Sequence, residues 1–210
     1  MLFSDSAERE HARRRMRARA IMVCATKQHT GKTSVSLALL HNLRKRCGSV
    51  GYIKPVGQQW VEVEAHGRAV RVDKDAAVAH QYFGLTDAIA DVSPIVIGQG
   101  HTKAFLDDAI PELSERSVKA RLHSAFDRIA AANEFVIVEG TGHCGVGAVL
   151  GWNNARVAAE LGIDVVLVAN GGIGSTFDEL ALNVMACRAE GASIAGVSDS
   201  RPALGCQALP

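Results

Sequence analysis

Short apolar runs and amphipathic stretches alternate along the middle of the chain, between residues 20 and 197. The apolar runs are rich in Val and Ile and predict strands. Those around Ile137 and Val166 are apolar at successive positions, as expected of strands covered on both faces. The five predicted strands are residues 20–25, 50–54, 135–139, 164–169 and 193–197.

Two of the stretches between these strands have the apolar spacing of amphipathic helices. Residues 31–46 predict a helix that buries the face containing Ala38 and stops at Gly48, a plausible C′ residue. Residues 114–132 predict a second helix, whose apolar positions recur every three or four residues along one face.

A third helix is predicted near the end of the patterned region. Thr176 and Glu179 have the spacing of a capping box that opens a helix running to residue 191. The resulting series of strand, helix and strand predicts an α/β fold with a mainly parallel central sheet. In such folds ligands bind at the carboxyl ends of the strands.

The segment after the first predicted strand has the features of a phosphate-binding loop (P-loop). Gly31-Lys32-Thr33 opens an amphipathic helix directly after a buried strand, although Thr26 stands where the strict pattern has glycine. Backbone N–H groups of such a loop face the phosphates, the lysine neutralises β- and γ-oxygens, and the threonine hydroxyl coordinates Mg²⁺. The predicted nucleotide contacts are Thr26, Gln28, His29, Thr30, Gly31, Lys32, Thr33 and Ser34.

These features predict a three-layer P-loop NTPase over residues 20–197 that uses ATP and Mg²⁺. Lys32 is a predicted catalytic residue of this site. Lys27 is a second one, at the position where one branch of P-loop ATPases carries a "signature" lysine that reaches a phosphate, sometimes across a dimer interface. The alternative is that Lys27 is an exposed loop lysine, the usual situation for this residue type.

Polar residues follow two other predicted strands. Lys54, the third predicted catalytic residue, ends the second strand and points into the ligand crevice of a parallel sheet. Asp73 and Asp75 begin a helical stretch, which either of them could simply cap. Glu139 ends a strand of four apolar residues and is followed by a glycine turn, a position from which an acid holds Mg²⁺ directly or through water.

The combination of GKT, YIKPVG, DKDA, VEGTG and VANGGIG resembles the dethiobiotin synthetase family of ATP-dependent ligases, over about residues 20–197. The resemblance extends to cobyrinate diamide synthase-type amidoligases and to the N-terminal domain of some phosphate acetyltransferases. It implies that Thr33, Asp75 and Glu139 form the metal site, and that Lys54 stabilises a carbamate and its transferring phosphoryl group. The glycine turn, through Gly140 and Gly142, is predicted to contact the nucleotide.

In that family a diaminononanoate amine is carboxylated, ATP phosphorylates the carbamate, and the second amine displaces phosphate. The resemblance therefore implies a small-molecule substrate, and we also expect a homodimer. This chain departs from the ligase pattern after Val56, where Gln58 and Gln59 replace small hydroxyl residues, and after Val197, where an Asn-Lys pair that contacts adenine is missing. An ATP-dependent switch that uses Lys27 as its signature lysine is the alternative function.

Composition excludes several other classes. A formal net charge of +1 and 5% aromatic residues give no electrostatic case for nucleic-acid binding. No run approaches ~20 apolar residues, so no membrane-spanning helix is expected. Five scattered cysteines favour a reducing compartment, and we expect a cytoplasmic protein. Residues 1–19 form an Arg-rich tail, which leaves organellar import open, and residues 198–210 suggest a disordered tail or a truncation.

Overall fold

The computed structural model describes residues 19–65, 67–98, 100–106, 110–171 and 174–199. The predicted tails, residues 1–19 and 198–210, lie outside these ranges except at their inner ends, where Arg19 begins the first strand and Ser198 and Asp199 end the last one. In chain order the strands of the described residues are β1 Arg19–Ala25, β2 Val50–Ile53, β3 Val56–Gly57, β4 Trp60–Ala65, β5 Arg68–Asp73, β6 Ile95–Val96, β7 Phe135–His143, β8 Asp164–Ala169 and β9 Ile194–Asp199.

The helices lie between the strands. In the same part of the chain they are α1 Lys32–Leu43, α2 Lys74–Phe83, α3 Ile89–Val92, α4 His101–Leu106, α5 Glu115–Ala132, α6 Asn154–Leu161 and α7 Ser175–Ala189. Two short 3₁₀ turns occupy Pro111–Leu113 and Ala148–Leu150.

The central sheet has five strands in the order β2-β7-β1-β8-β9, and every neighbouring pair is parallel. The predicted α/β fold with a parallel sheet is therefore confirmed, and each of the five predicted strands is present. The sequence does not encode this strand order in any local pattern. Because β1 lies between β7 and β8, the segments that follow these three strands meet at one edge of the sheet.

Strand β7 is longer than predicted and continues past Glu139 to His143. Its pairing with β1 shifts register between Val23 and Ala25, so that Ala25 lies opposite His143. Because of this irregularity, the end of the glycine turn lies beside Ala25, directly before the P-loop.

Helix α5 buries the apolar face that its spacing predicts, from Val118 to Ile129. Helix α1 differs from its prediction: it buries Ser36 and Leu40, whereas Ala38 is exposed. Because this helix has apolar residues on several sides, the periodicity of the sequence does not determine which side packs against the sheet. The helix also ends at Leu43, before the predicted stop at Gly48, which has no positive φ.

A hairpin absent from the sequence prediction separates β3 from α2. Strands β4 and β5 pair in antiparallel register, with Trp60 opposite Asp73 at the open end. The ribbon is largely exposed, and the Arg71 guanidinium lies 4.3 Å from the centre of the Trp60 ring. The register places the residues before β4 beside those that begin α2.

Candidate active site

The P-loop joins the end of β1 to the start of α1. The Thr26 N–H donates to the Val168 carbonyl of β8, which holds the first loop residue against the sheet. His29 has φ 59° and Gly31 has φ 87°, and α1 begins after Gly31 with no side-chain cap. The first amides of α1 are therefore directed to the space in front of the helix, where a phosphate would accept from them.

A cleft of about 420 Å³ opens in front of this helix. It brings together Lys32, Lys54 and Asp75, which come from three separate elements of the chain. The predicted nucleotide contacts that line it are Gln28, His29, Thr30, Gly31, Lys32, Thr33, Ser34 and Gly142. Gln58, Gln59, Asp73, Lys74 and Thr141 line it as well and were not among the predicted site residues.

Lys54 is the centre of an ion cluster at the base of the cleft. Its Nζ lies 2.9 Å from Asp73 Oδ1, 2.5 Å from Asp75 Oδ2 and 3.5 Å from Glu139 Oε1. Burial by itself lowers the pKa of this ammonium, but the three carboxylates outweigh it, and the pKa lies above its ordinary value. Lys54 is therefore a cation throughout the physiological range.

Glu139 is completely buried at the end of the apolar part of β7. Its Oε1 accepts from the Thr33 hydroxyl at 2.8 Å, and its Oε2 accepts from the Tyr52 hydroxyl at 2.9 Å. Burial raises the pKa of Tyr52, and the Glu139 charge raises it further, so the phenol remains a donor. The P-loop threonine and the predicted metal acid are thus directly joined.

Asp73 takes a more central place than its sequence suggests. Its carboxylate caps α2 by accepting from the Asp75 N–H at 2.9 Å, and it also pairs with Lys54. Its own N–H donates to Ser93 Oγ at 2.8 Å. A Cβ on Gly57 would lie 2.5 Å from the Asp73 side chain, which explains a glycine at that position. Only the capping role could be predicted from the sequence.

Lys32 differs from Lys54 in its surroundings. Burial lowers the pKa of its ammonium, and no carboxylate of the described residues lies within ion-pair distance of it. Glu139 and Asp75 attract this ammonium only from beyond ion-pair distance, and a triphosphate in the cleft would supply the close negative partner that it lacks among the described residues.

Lys27 and Thr26 face away from the cleft lining. Lys27 Nζ lies 2.9 Å from Glu179 Oε1, and the Thr26 hydroxyl donates to Glu179 Oε2 at 3.1 Å. Glu179 therefore supports the P-loop and does not form a capping box. The capping-box prediction for Thr176 and Glu179 is wrong. Thr176 lies inside α7, whose N-cap is Gly174, and its hydroxyl donates to the Asn170 carbonyl.

The glycine turn after Glu139 is closely packed. Gly142 lines the cleft with φ 63°, and a Cβ there would lie 2.8 Å from the Val146 side chain, whereas a Cβ on Gly140 would lie 2.9 Å from Asn154. Asn154 accepts from the Thr141 N–H and donates to the Thr141 and His143 carbonyls, which fixes the turn. Gly140 is not a cleft-lining residue here, and its nucleotide contact stays a prediction.

The predicted metal ligands do not form a metal cage of their own. Among the described residues, no group of three or more His, Cys, Asp and Glu side chains could hold a metal ion. Thr33 and Asp75 line the cleft, and Glu139 lies fully buried behind Thr33, to which it is hydrogen-bonded. One hydroxyl and two carboxylates in this arrangement suit Mg²⁺ bound jointly with phosphate oxygens and water. Within the described ranges of the chain, no helix is long and apolar enough to cross a membrane.

Comparison with known proteins gives matches along most of the chain. A sequence model of the AAA domain family matches residues 19–202. The ATP-dependent dethiobiotin synthetase BioD of Aromatoleum aromaticum is 31% identical over 180 residues, covering 85% of this chain and 76% of that protein. The phosphate acetyltransferase of Nitratidesulfovibrio vulgaris is 27% identical over 160 residues, covering 72% of this chain and 20% of that protein.

A solved structure is similar in fold. The kinase domain of the Escherichia coli tyrosine kinase ETK matches with a TM-score of 0.54 and 15% sequence identity, covering 91% of this chain and 71% of that domain. At this identity the match shows a shared architecture, and no activity follows from it.

Proposed function

The chain belongs to the AAA domain family and is a relative of dethiobiotin synthetase, and from this we propose that it is a MgATP-dependent ligase. Its proposed substrate is a small molecule. The family resemblance predicted from the motifs is confirmed, and this family implies the predicted ATP and Mg²⁺. The proposed reaction is phosphoryl transfer to a carbamate or carboxylate. The homodimer and the identity of the substrate stay predictions.

One arrangement supports this proposal most directly: Lys54 and Asp75 lie beside the start of the P-loop helix, although they come from distant parts of the sequence. The Thr33–Glu139 hydrogen bond connects that helix to β7. The Lys54–Glu139 contact connects β7 to the residue that follows β2. Phosphoryl transfer requires positioned positive charge more than covalent catalysis. Lys32 and Lys54 both line the cleft and would provide that charge.

The roles of the lysines follow from their surroundings. Lys32, which lacks a described carboxylate partner, would neutralise the β- and γ-phosphate oxygens. Lys54 is held by its three carboxylates and would orient the acceptor oxygen of the substrate and stabilise charge on the transferring group. Its fixed position reduces the reorganisation needed during the reaction.

Thr33, Asp75 and Glu139 would hold Mg²⁺ together with the phosphates. The ion, when bound, would neutralise charge on the phosphates. Tyr52 keeps Glu139 oriented by donating to the oxygen that faces away from Thr33. Asp75 is held by Lys54 at the mouth of the same site, so the protein sets both carboxylates before nucleotide arrives.

In the ligase reaction that we propose, a carbamate oxygen forms a bond to the γ-phosphorus while the bond to the ADP oxygen breaks. A second amine of the substrate then forms a C–N bond at the carbamate carbon and loses a proton, and inorganic phosphate leaves. The chain's own residues position the two reactants and balance charge in both steps. No covalent enzyme intermediate is required.

Gln58 and Gln59 favour a substrate that differs from that of the ligase. They line the cleft at the base of the β4–β5 hairpin, and the Gln59 carbonyl accepts from the Lys74 N–H, which fixes this wall beside α2. Their amides both donate and accept hydrogen bonds. We therefore propose a small substrate with polar groups of both kinds, in place of one recognised by hydroxyl side chains.

An ATP-dependent switch is a second candidate, and Lys27 is the observation that favours it. A P-loop lysine at this position has no counterpart in the ligase that the motifs resemble. A switch would hydrolyse ATP slowly, without regard to a cosubstrate, and would dimerise with ATP. The same assay distinguishes the two candidates.

The experiment measures ADP release and fixation of labelled bicarbonate with diaminononanoate, with a panel of other small amines and carboxylates, and with no cosubstrate. Product formation that requires ATP and one of these cosubstrates supports the ligase, and its dependence on the cosubstrate identifies the class of substrate. Cosubstrate-independent hydrolysis with ATP-dependent dimerisation supports the switch. The Asp75→Asn and Glu139→Gln variants should each raise the Mg²⁺ concentration required for ADP release, whereas Glu62→Gln, on the exposed hairpin, should not. Unchanged metal titrations in both site variants would remove these carboxylates from the metal site.

A further inference from the structure

Glu179 binds two consecutive residues of the P-loop. One of its carboxylate oxygens accepts from the Lys27 ammonium at 2.9 Å, and the other accepts from the Thr26 hydroxyl at 3.1 Å. Glu179 comes from α7, more than 150 positions along the chain from either partner. The hydrogen bond from Lys27 lowers the pKa of the Glu179 carboxyl, so the pair is ionic at neutral pH.

Asn183 fixes the position of Glu179 relative to the loop. It lies one helical turn further along α7, is buried, and donates to the Thr26 carbonyl at 2.9 Å and to the Glu179 carbonyl at 2.8 Å. Its own side-chain oxygen accepts from the Cys144 N–H at 2.9 Å. The Asn183 side chain therefore joins α7, the P-loop and the segment after β7. These hydrogen bonds fix the part of α7 that carries Glu179 relative to the P-loop.

The position of Lys27 differs from that of its loop neighbours. Every residue from Gln28 to Ser34 lines the cleft, whereas Lys27 does not, because its side chain is directed to Glu179. The Lys27 side chain is nevertheless 50% exposed, and an ion pair of this exposure is weak. A triphosphate, with several negative charges, is a stronger partner for the same ammonium.

We propose that Glu179 is a positioning residue that holds Lys27 away from the cleft, and that bound ATP competes with Glu179 for this lysine. The inference rests on the proposed nucleotide site. It assigns to α7 a control over nucleotide affinity that the residues lining the cleft do not provide. In this arrangement Thr26 and Asn183 keep the loop in place whichever partner Lys27 has, because neither of their bonds involves the ammonium.

The test is a double-mutant cycle on ATP binding to the full chain, measured by calorimetric titration with Mg²⁺. Glu179→Gln keeps an acceptor for the Thr26 hydroxyl and removes only the charge that attracts Lys27. We expect it to tighten ATP binding about 3- to 10-fold, and ADP binding less, since ADP carries less charge. Lys27→Gln should weaken ATP binding less than about 2-fold alone, and should abolish the gain in the double variant.

Asp178→Asn is the matched control, because it removes the same charge from the neighbouring position, where Asp178 is exposed. It should change ATP affinity less than about 2-fold. The proposal is overturned if Glu179→Gln leaves ATP affinity unchanged or weakens it, if Asp178→Asn gives an equal gain, or if the gain persists without Lys27. A loss of more than about 2-fold in Lys27→Gln alone would also overturn it, since Lys27 would then already contact nucleotide. Absence of ATP binding to the unmodified chain would instead reject the proposed function.

Discussion

Replacing Lys54 with methionine should destabilise the fold strongly. The ammonium is 5% exposed and lies within 3.5 Å of Asp73, Asp75 and Glu139, of which Asp73 is 2% and Glu139 0% exposed. Methionine fills a similar volume but leaves these carboxylates facing one another without a cation. Removing one partner of a buried ion pair costs about 3–5 kcal/mol, and the two least exposed carboxylates place Lys54 in that range.

Urea unfolding followed by circular dichroism measures this loss as a lower midpoint with an unchanged slope. Lys27→Met is the matched control, because it removes a lysine from a half-exposed ion pair and should cost about 1 kcal/mol or less. A Lys54→Met variant within about 1 kcal/mol of the unmodified chain would refute the reasoning. It would mean that the three carboxylates are stabilised by solvent or by protonation rather than by Lys54.

The remaining predictions concern the same cluster. Gly57→Ala should cost about 1–3 kcal/mol in urea unfolding, because the new methyl would meet Asp73, itself held by two partners; a neutral result would show that this wall relaxes freely. Tyr52→Phe should cost about 1–3 kcal/mol, because it leaves buried Glu139 short of a donor; an unchanged midpoint would contradict this. The pKa of Lys54 is raised, so its stabilising effect should be complete below pH 10.5 and decline above it; a decline that begins near neutral pH would contradict this sign.

The sequence predicted the parts of the site that local pattern encodes. Lys32 and Thr33 follow a buried strand at the start of a helix, and Lys54 and Glu139 end apolar strands. Because the carboxyl ends of parallel strands meet at one edge, their convergence followed from the fold class alone. The cleft around Lys32, Thr33 and Lys54 agrees with that argument.

Other contributions depend on contacts that no local pattern contains. Glu179 and Asn183 reach the P-loop across more than 150 residues, and the capping-box spacing of Glu179 pointed to a different partner. Tyr52 reads as an ordinary strand residue until β7 is placed beside β2. The contacts of Glu179, Asn183 and Tyr52 all depend on the strand order. The sequence pattern predicts where strands lie along the chain but not which strands are neighbours.

The hairpin before α2 was missed for a different reason. Its strands are exposed and carry charged residues at several positions, so they lack the apolar runs that identified the central sheet. Only its register brings Gln59 beside Lys74 and so forms one wall of the cleft.

Equilibrium binding of MgATP to the unmodified chain and to Lys32→Ala tests the central claim most directly, with circular dichroism to confirm that both are folded. The start of α1 and the Lys32 ammonium are proposed to bind the phosphates, so we expect saturable binding that Lys32→Ala weakens at least about 100-fold. Equal MgATP affinity in the two folded proteins would contradict the account.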